Sequence, residues 1–221
     1  SLEDLNRAIS LQPDFLNAYF QRGLCLLKLN KIKMSLSDFD IVIAKKPGFT
    51  PAYKGRGIAK LQLGMYNESI IDLTTALERS PSDLELYSNR GLAYSALGSF
   101  AFAIADFENA LELRPKKDPG VLNNLAWLLA TCPKSQYRDG NLALKHATEA
   151  CEQSDWSNYS ALDTLAAANA ELGRFEDAIG WQEKAIANAP ERMTGELRKR
   201  LELYKKEKPF RAISKISSNK K

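Results

Sequence analysis

The sequence predicts an all-α protein built of antiparallel helix hairpins stacked side by side. Three observations carry that prediction. Pro13, Pro47, Pro81 and Pro115 stand thirty-four positions apart, and Tyr19, Tyr53 and Tyr87 keep the same interval. Apolar residues recur at i, i+3, i+7, as in Leu36, Phe39, Ile43, then Ile70, Leu73, Leu77, then Ile104, Phe107, Leu111, which places each set on one helical face. Asn30, Gly64 and Gly98 follow Leu29, Leu63 and Leu97, and these residue types tolerate the left-handed conformation that ends a helix.

The elements follow in order. Residues 1–13 read as a second helix without its first, with Leu2, Leu5 and Ile9 bare on one side. That opening, with no initiator Met, is expected of a piece cut from a longer protein. Residues 14–118 form three regular repeats. In each, a first helix begins near the aromatic and a second runs to the proline, whose ring pushes its predecessor out of the helical region. Residues 119–190 form two further repeats. The interval from Pro115 to Pro190 is two periods plus seven, and the extra residues fall mostly in a loop from Cys132-Pro133 to about Arg138. The next repeat carries Leu162, Leu165, Ala166, Gly173, Phe175, Ala178 and Ala185. Met193, Leu197, Leu201 and Tyr204 then make one apolar stripe among charges, as a capping helix over 191–208 requires. Residues 209–221 lose the period and are predicted to be a basic, disordered tail.

This pattern resembles the tetratricopeptide repeat family, whose period has the same length. Tyr87, Gly91, Tyr94, Ala103, Phe107, Ala110 and Pro115 carry the resemblance best. The strings LNNLAWLLATCP and ALDTLAAANAELGRFEDAI resemble the last units of long bacterial arrays of this family. The resemblance implies a right-handed superhelical solenoid whose concave side is lined by the first helix of each unit. In the family that side commonly holds an extended peptide or a partner helix. Gly23, Gly57 and Gly91 are expected to let the second helix approach the first, where Ser35, Ser69 and Ala103 meet them.

One departure from the family pattern concerns charge. Arg22, Arg56 and Arg90 stand where an apolar residue is usual, and Asp38, Asp72 and Asp106 each follow sixteen residues later. In the last two repeats the arginine becomes Leu125 and Leu165, and the aspartate becomes His146 and Trp181. A guanidinium at a helix seam needs a partner, because burying it alone is costly. The reading ranked first is a structural ion pair within each hairpin. Pairing with the preceding repeat, as Arg22 with Asp4, leaves Asp106 unmatched and ranks second. A ladder of three arginines open to anions ranks third.

The inward positions of the first helices map to a candidate groove. It comprises Phe20, Gln21, Leu24, Lys54, Ile58, Asn89, Leu92, Asn123, Asn124, Trp127 and Thr131, with Asn17, Lys28, Gln62, Glu85, Ser88, Ser95, Asp163, Thr164 and Glu171 alongside. Gln21, Asn89 and Asn124 occupy one equivalent position, interrupted by Gly55. Side-chain amides donate and accept, so such a row suits a peptide backbone. Phe20, Leu24, Ile58, Leu92 and Trp127 form an apolar trail, and anchors of this kind can contribute about 2 kcal/mol or more each. Some arrays in the family clamp a C-terminal carboxylate with five Lys, Asn and Arg positions. Lys54 and Asn89 match two of these, whereas Ile58, Gly120 and Asn124 replace the rest, so that clamp is not expected.

Composition removes several function classes. Apolar residues make up 44% and charged residues 26%, ordinary values for a folded soluble chain. No run approaches the roughly 20 apolar residues of a membrane helix. Cys25, Cys132 and Cys151 lack disulfide or zinc spacing, and one histidine, His146, excludes sites needing two. The unpaired thiols favour a reducing, cytoplasmic setting. No phosphate loop, hydrolase elbow or metalloprotease motif occurs. Cys132 with His146 is the one conceivable nucleophile–base pair, and buried packing is the commoner role of such a cysteine. No enzyme activity, cofactor, metal or small-molecule substrate is expected.

The expected function is a protein–protein interaction scaffold taking a peptide or partner helix. The alternative is an anionic partner, nucleic acid or acidic protein, bound by the tail. Residues 198–221 carry ten Lys/Arg against two Glu, whereas residues 1–197 carry 21 basic and 25 acidic side chains. Only Tyr204 and Phe210 interleave with the tail's lysines, too few for the stacking that single-stranded nucleic acid requires. The half-repeat at the N-terminus is a candidate surface for self-association.

Overall fold

The computed structural model describes residues 1–113 and 116–212. Among the described residues there are twelve α-helices and one short 3-10 turn. They are α1 (Leu2–Leu11), α2 (Leu16–Lys28), α3 (Ile32–Lys45), α4 (Thr50–Gln62), α5 (Tyr66–Leu77) and α6 (Leu84–Ala96). There follow α7 (Phe100–Glu112), α8 (Pro119–Thr131), the turn Ser135–Tyr137, α9 (Gly140–Gln153), α10 (Tyr159–Glu171), α11 (Phe175–Asn188) and α12 (Glu191–Tyr204). The chain divides into two compact units, Ser1–Tyr94 and Ser95–Lys221.

Local chemistry sets the helix ends. Asn30 has φ 58°, and Gly64, Gly98 and Gly173 have φ 74–77°, so each reverses the chain after a first helix at little steric cost. Asp118 Oδ1 accepts from the amides of Gly120 and Val121, and Pro119 opens α8 where no amide is needed. Asn158 caps α10 and Asp139 caps α9 in the same way.

In the first unit, consecutive helices pack as hairpins, α2 on α3 and α4 on α5, with α3 also against α4. One cluster gathers Phe39, Val42 and Ala52 with Tyr19, Phe20, Leu24, Ile43 and Phe49. A second gathers Leu73, Ala76, Leu77 and Leu86 with Tyr53 and Tyr87. Glycine lets the helices meet, and the atoms nearest its face at Gly23 and Gly57 belong to a large side chain of the second helix. A Cβ on Gly23 would lie 2.8 Å from the Phe39 ring, and one on Gly57 would lie 2.8 Å from Leu73 Cγ. Phe39 also lies over Gly55, where a Cβ would come within 2.5 Å of it. Ser69 does meet Gly57, donating its hydroxyl to the glycine carbonyl at 2.7 Å.

In the second unit, α8 pairs with α9 and α10 with α11, α10 packs on both α8 and α9, and α12 closes on α11. The core is rich in alanine, with residues 161–170 buried throughout. Ala166, Ala170, Ala178 and Tyr204 form one cluster with Phe175, Ile179, Trp181, Leu203 and Phe210.

The segment after repeat four's Cys132 is tied down, not a free loop. Asp139 N–H donates to the Leu129 carbonyl at 3.1 Å, and Arg138 Nη1 donates to the Cys132 carbonyl at 3.0 Å.

The tail needs correction. The capping helix ends at Tyr204, and the expected disorder from 209 does not hold for residues 209–212. Glu207, with φ 52°, reverses the chain, and Lys208 N–H donates to the Leu203 carbonyl at 3.0 Å. This is the helix-ending motif normally served by glycine. The chain then runs, without helix, to Ala212, whose N–H donates to the Thr131 carbonyl at 2.9 Å. The rest of the expected disordered tail, 213–221, lies outside the described residues.

Candidate peptide-binding face and its internal ion pairs

The arginines of the first unit face inward to carboxylates. Arg22 donates from Nε and Nη2 to the two oxygens of Asp38 at 2.9 and 2.7 Å. Arg56 does the same to Asp72 at 2.8 and 2.7 Å. Both aspartates are buried. Each guanidinium also lies over a ring of its own helix, Tyr19 or Tyr53. Planar bidentate pairing is the strongest ion-pair geometry available to arginine. The bonds to Asp38 and Asp72 raise the two arginine pKa values above their ordinary range, against the opposing effect of burial. Arg22 and Arg56 are therefore not an open anion ladder.

A third bond per arginine escaped the sequence reading. Arg22 Nη1 donates to Asn6, Arg56 Nη1 to Asp40 and Arg90 Nη1 to Thr74, at 2.9, 2.7 and 3.0 Å. Each acceptor lies sixteen residues before its arginine, on the preceding second helix. The guanidinium thus does reach back one repeat, though not to Asp4, which instead binds Ser1. Arg90 also lies over Tyr87 and Tyr94, and Asp106 is buried in α7.

The first unit disperses its share of the expected groove. Phe20 packs edge-on against Phe49 at 5.0 Å and lies 6.1 Å from Phe39, so with Leu24 it belongs partly to the core. Gln21 is exposed, and Ile58 and Leu92 are half-buried. Gly55 is buried beneath Phe39, which explains the gap in the amide row. Asn89 turns its amide onto its own helix, donating to the Glu85 carbonyl at 2.7 Å. Lys54 is held by Asp83 at 2.8 Å and Glu85 at 2.6 Å. Burial opposes its charge, but the two carboxylates prevail and raise its pKa. A small cavity of about 90 Å³ takes one of the expected positions, Asn17, and is otherwise lined by Leu16, Val42, Lys46 and Phe49.

The second unit brings its share together. Asn123, Asn124 and Trp127 of α8 line a cavity of about 240 Å³ with Ser160, Asp163 and Thr164 of α10 and Arg200 of α12. One face of α8 supplies i, i+1 and i+4 positions, and the facing side of α10 supplies i, i+3 and i+4. Asn123 Nδ2 reaches Ser160 Oγ at 3.5 Å, while its carbonyl oxygen is buried without a partner. Asp163 accepts from Arg200 at 2.8 and 2.9 Å and from Gln182 at 2.8 Å. Burial nevertheless raises its pKa above the ordinary carboxylate value. Thr131 is buried, and its hydroxyl donates to the Trp127 carbonyl at 2.7 Å.

Ser160, Arg200, Phe210 and Arg211 were missed by sequence reasoning. Beyond Pro190 the repeat period no longer aligns the last three with anything. The one available signal was Pro209-Phe210 within a basic run.

The enzyme alternative gains no support. Cys132 and His146 are both buried. Burial raises the Cys132 thiol and lowers His146, keeping both neutral, whereas a nucleophilic cysteine needs a depressed pKa. Among the described residues no cluster of His, Cys, Asp and Glu could hold a metal ion. Among them also, no helix is long and apolar enough to cross a membrane. Of the tail's cations, Lys199, Arg200, Lys205 and Arg211 pair with carboxylates of this chain.

Residues 84–117 match the sequence profile of the tetratricopeptide repeat. No curated protein matches the chain. Among solved structures, YrrB, described as a TPR protein with an unusual peptide-binding site, is 21% identical, with 90% of this chain and 99% of that chain covered and a TM-score of 0.64. TTC0263, a thermophilic TPR protein of Thermus thermophilus, is 20% identical over 86% of this chain and 98% of that one, TM-score 0.66. A tetratricopeptide repeat protein of Parabacteroides merdae is 18% identical over 93% and 79%, TM-score 0.73. These likenesses concern the fold.

Proposed function

We infer that this chain, a TPR-like helical-repeat protein, is an interaction scaffold that holds an extended segment of a protein partner on the inner face of its first helices. The observation that carries the reading is the cavity of α8 and α10. Asn123, Asn124, Ser160 and Thr164 offer donors and acceptors there beside the Trp127 ring. A peptide backbone needs both kinds of partner at regular spacing, and an aromatic wall gives its side chains an apolar seat. YrrB, of like fold, is described as having a peptide-binding site, which agrees with this use of the architecture.

The test is selection of peptides from a random library against the full chain. Selected peptides are expected to bind at micromolar Kd, about −8 kcal/mol. They should lose at least about tenfold, or roughly 1.4 kcal/mol, on Asn123→Ala with Asn124→Ala. Peptides that bind this double variant as well as the wild type would remove the site from α8. The groove expected around Phe20, Gln21, Leu24, Lys54, Ile58, Asn89 and Leu92 is a second proposal, weaker because those side chains are largely engaged within the unit. Loss on Gln21→Ala alone, the exposed member, would support it.

A further inference from the structure

Beside the cavity just described, at Trp127 and Arg200, a segment of the same chain already lies against the first helices. Lys208–Ala212 leaves α12 through the left-handed Glu207 and lies without helix across the ends of α8 and α10. The Phe210 ring lies 5.7 Å from Trp127, tilted 39° to it, and Arg200 lies 5.4 Å from each of those two rings. Arg211 forms an ion pair with Glu171 at 2.6 Å and donates to the Ala130 carbonyl at 3.3 Å. Ala212 N–H meets the Thr131 carbonyl. Trp127, Thr131 and Glu171 are all positions that sequence analysis assigned to the groove.

We propose that the ends of α8 and α10 form a recognition site for an extended peptide bearing an aromatic–arginine pair, with Lys208–Ala212 as its resident, displaceable occupant. The proposal rests on the scaffold reading above and names the partner's chemistry. Each element of the site matches one element of the dipeptide. Trp127 and the Arg200 guanidinium together offer a ring and a cation to the face of an incoming ring. Glu171 sits beside it to take a guanidinium, and a carbonyl at the end of α8 accepts the next backbone amide.

The hold on the strap is also the kind that exchanges. The Phe210 ring against Trp127 and Tyr204, one backbone bond to α8 and a half-exposed Arg211 fasten it, and the turn that launches it sets a glutamate in a conformation suited to glycine. Leaving the face strands no charge. Glu171 keeps Arg138 at 2.8 Å, and Arg200 keeps Asp163.

The test uses the full chain and a labelled peptide, EKPFRA, which copies residues 207–212. Two unlatched variants are compared with wild type, Phe210→Ala with Arg211→Glu, and the milder Arg211→Ala alone. Helicity and the thermal transition check that each is folded. EKPFRA is expected to bind the double variant at least about tenfold more tightly than wild type, with Arg211→Ala between. Peptide EKPAEA should bind neither, and adding Trp127→Ala to the unlatched chain should abolish capture. Equal binding of EKPFRA to wild type and folded unlatched chains, or none to either unlatched chain, overturns the proposal. If library peptides still require Asn123 and Asn124 in that event, the scaffold reading survives and only the aromatic–arginine assignment falls. A wild-type dimer abolished by Phe210→Ala would place the strap on a second copy and overturn its intramolecular role.

Discussion

Arg56 clasps Asp72 through two parallel bonds of 2.8 and 2.7 Å and reaches back with its remaining nitrogen to Asp40 at 2.7 Å. Lys60 adds a fourth contact, donating to Asp72 at 2.6 Å. Asp72 is buried, whereas the two cations are partly wet. One guanidinium therefore ties the two helices of its own hairpin to the second helix before it. Such a joint fixes the stacking register as well as adding stability.

Asp72→Ala leaves Arg56 and Lys60 without their buried partner. The expected cost is about 3 kcal/mol, from the range for breaking buried pairs. The double change Arg56→Met with Asp72→Leu should recover most of it, because well-packed apolar pairs replace buried ion pairs at little cost. Urea unfolding of the three variants checks this. The chain itself makes the apolar choice at Leu125 and Leu165.

Gly55→Ala thrusts a methyl into the Phe39 ring and should cost about 1–3 kcal/mol, the usual penalty for overpacking. Gly180, inside α11 with nothing within 4 Å, is the contrast. Gly180→Ala should stabilise by roughly 0.5–1 kcal/mol through helix propensity. Thermal unfolding of both gives opposite signs if the packing is as described.

His146 is buried, and its pKa lies below the ordinary 6.5, first because of burial and then because of Lys117. Between the folded value and 6.5 the unfolded chain binds a proton that the folded chain does not. Stability should therefore fall as pH drops below 6.5 and stay level above it. Replacing His146 by Gln removes this contribution, so the wild-type and variant melting temperatures should diverge in slope between pH 7 and 5.

Arg138 and Arg211 share Glu171. Glu171→Gln should destabilise the chain modestly, by about 1 kcal/mol, since both arginines keep backbone acceptors. It should also loosen the strap, seen as faster quenching of Trp127 fluorescence by iodide in a chain carrying Trp156→Phe and Trp181→Phe.

The repeats were legible because a helix hairpin repeats its physical needs at fixed spacing. Small residues mark the crossings, Asn30, Gly64 and Gly98 mark the reversals, and Arg–Asp pairs share one register. The same regularity misled at Gly55. Aligned with Gln21 and Asn89 it reads as a missing amide, whereas its function is to seat a ring from the neighbouring helix. Asn89 and Lys54 look available in sequence, and a carbonyl and two carboxylates occupy them in the fold. Phe210 and Arg211 could not be placed at all. Their contacts, Trp127 and Glu171, lie far off in sequence and follow no period.

Amide exchange at Ala212, followed in the wild-type chain with and without saturating EKPFRA, bears most directly on the central relationship between strap and face. The amide should exchange at least about tenfold more slowly than an unstructured one, and added peptide should release it while the α10 amides of Leu165 and Ala166 stay protected. An Ala212 amide that exchanges freely from the outset, or one whose protection saturating peptide leaves untouched, contradicts the account.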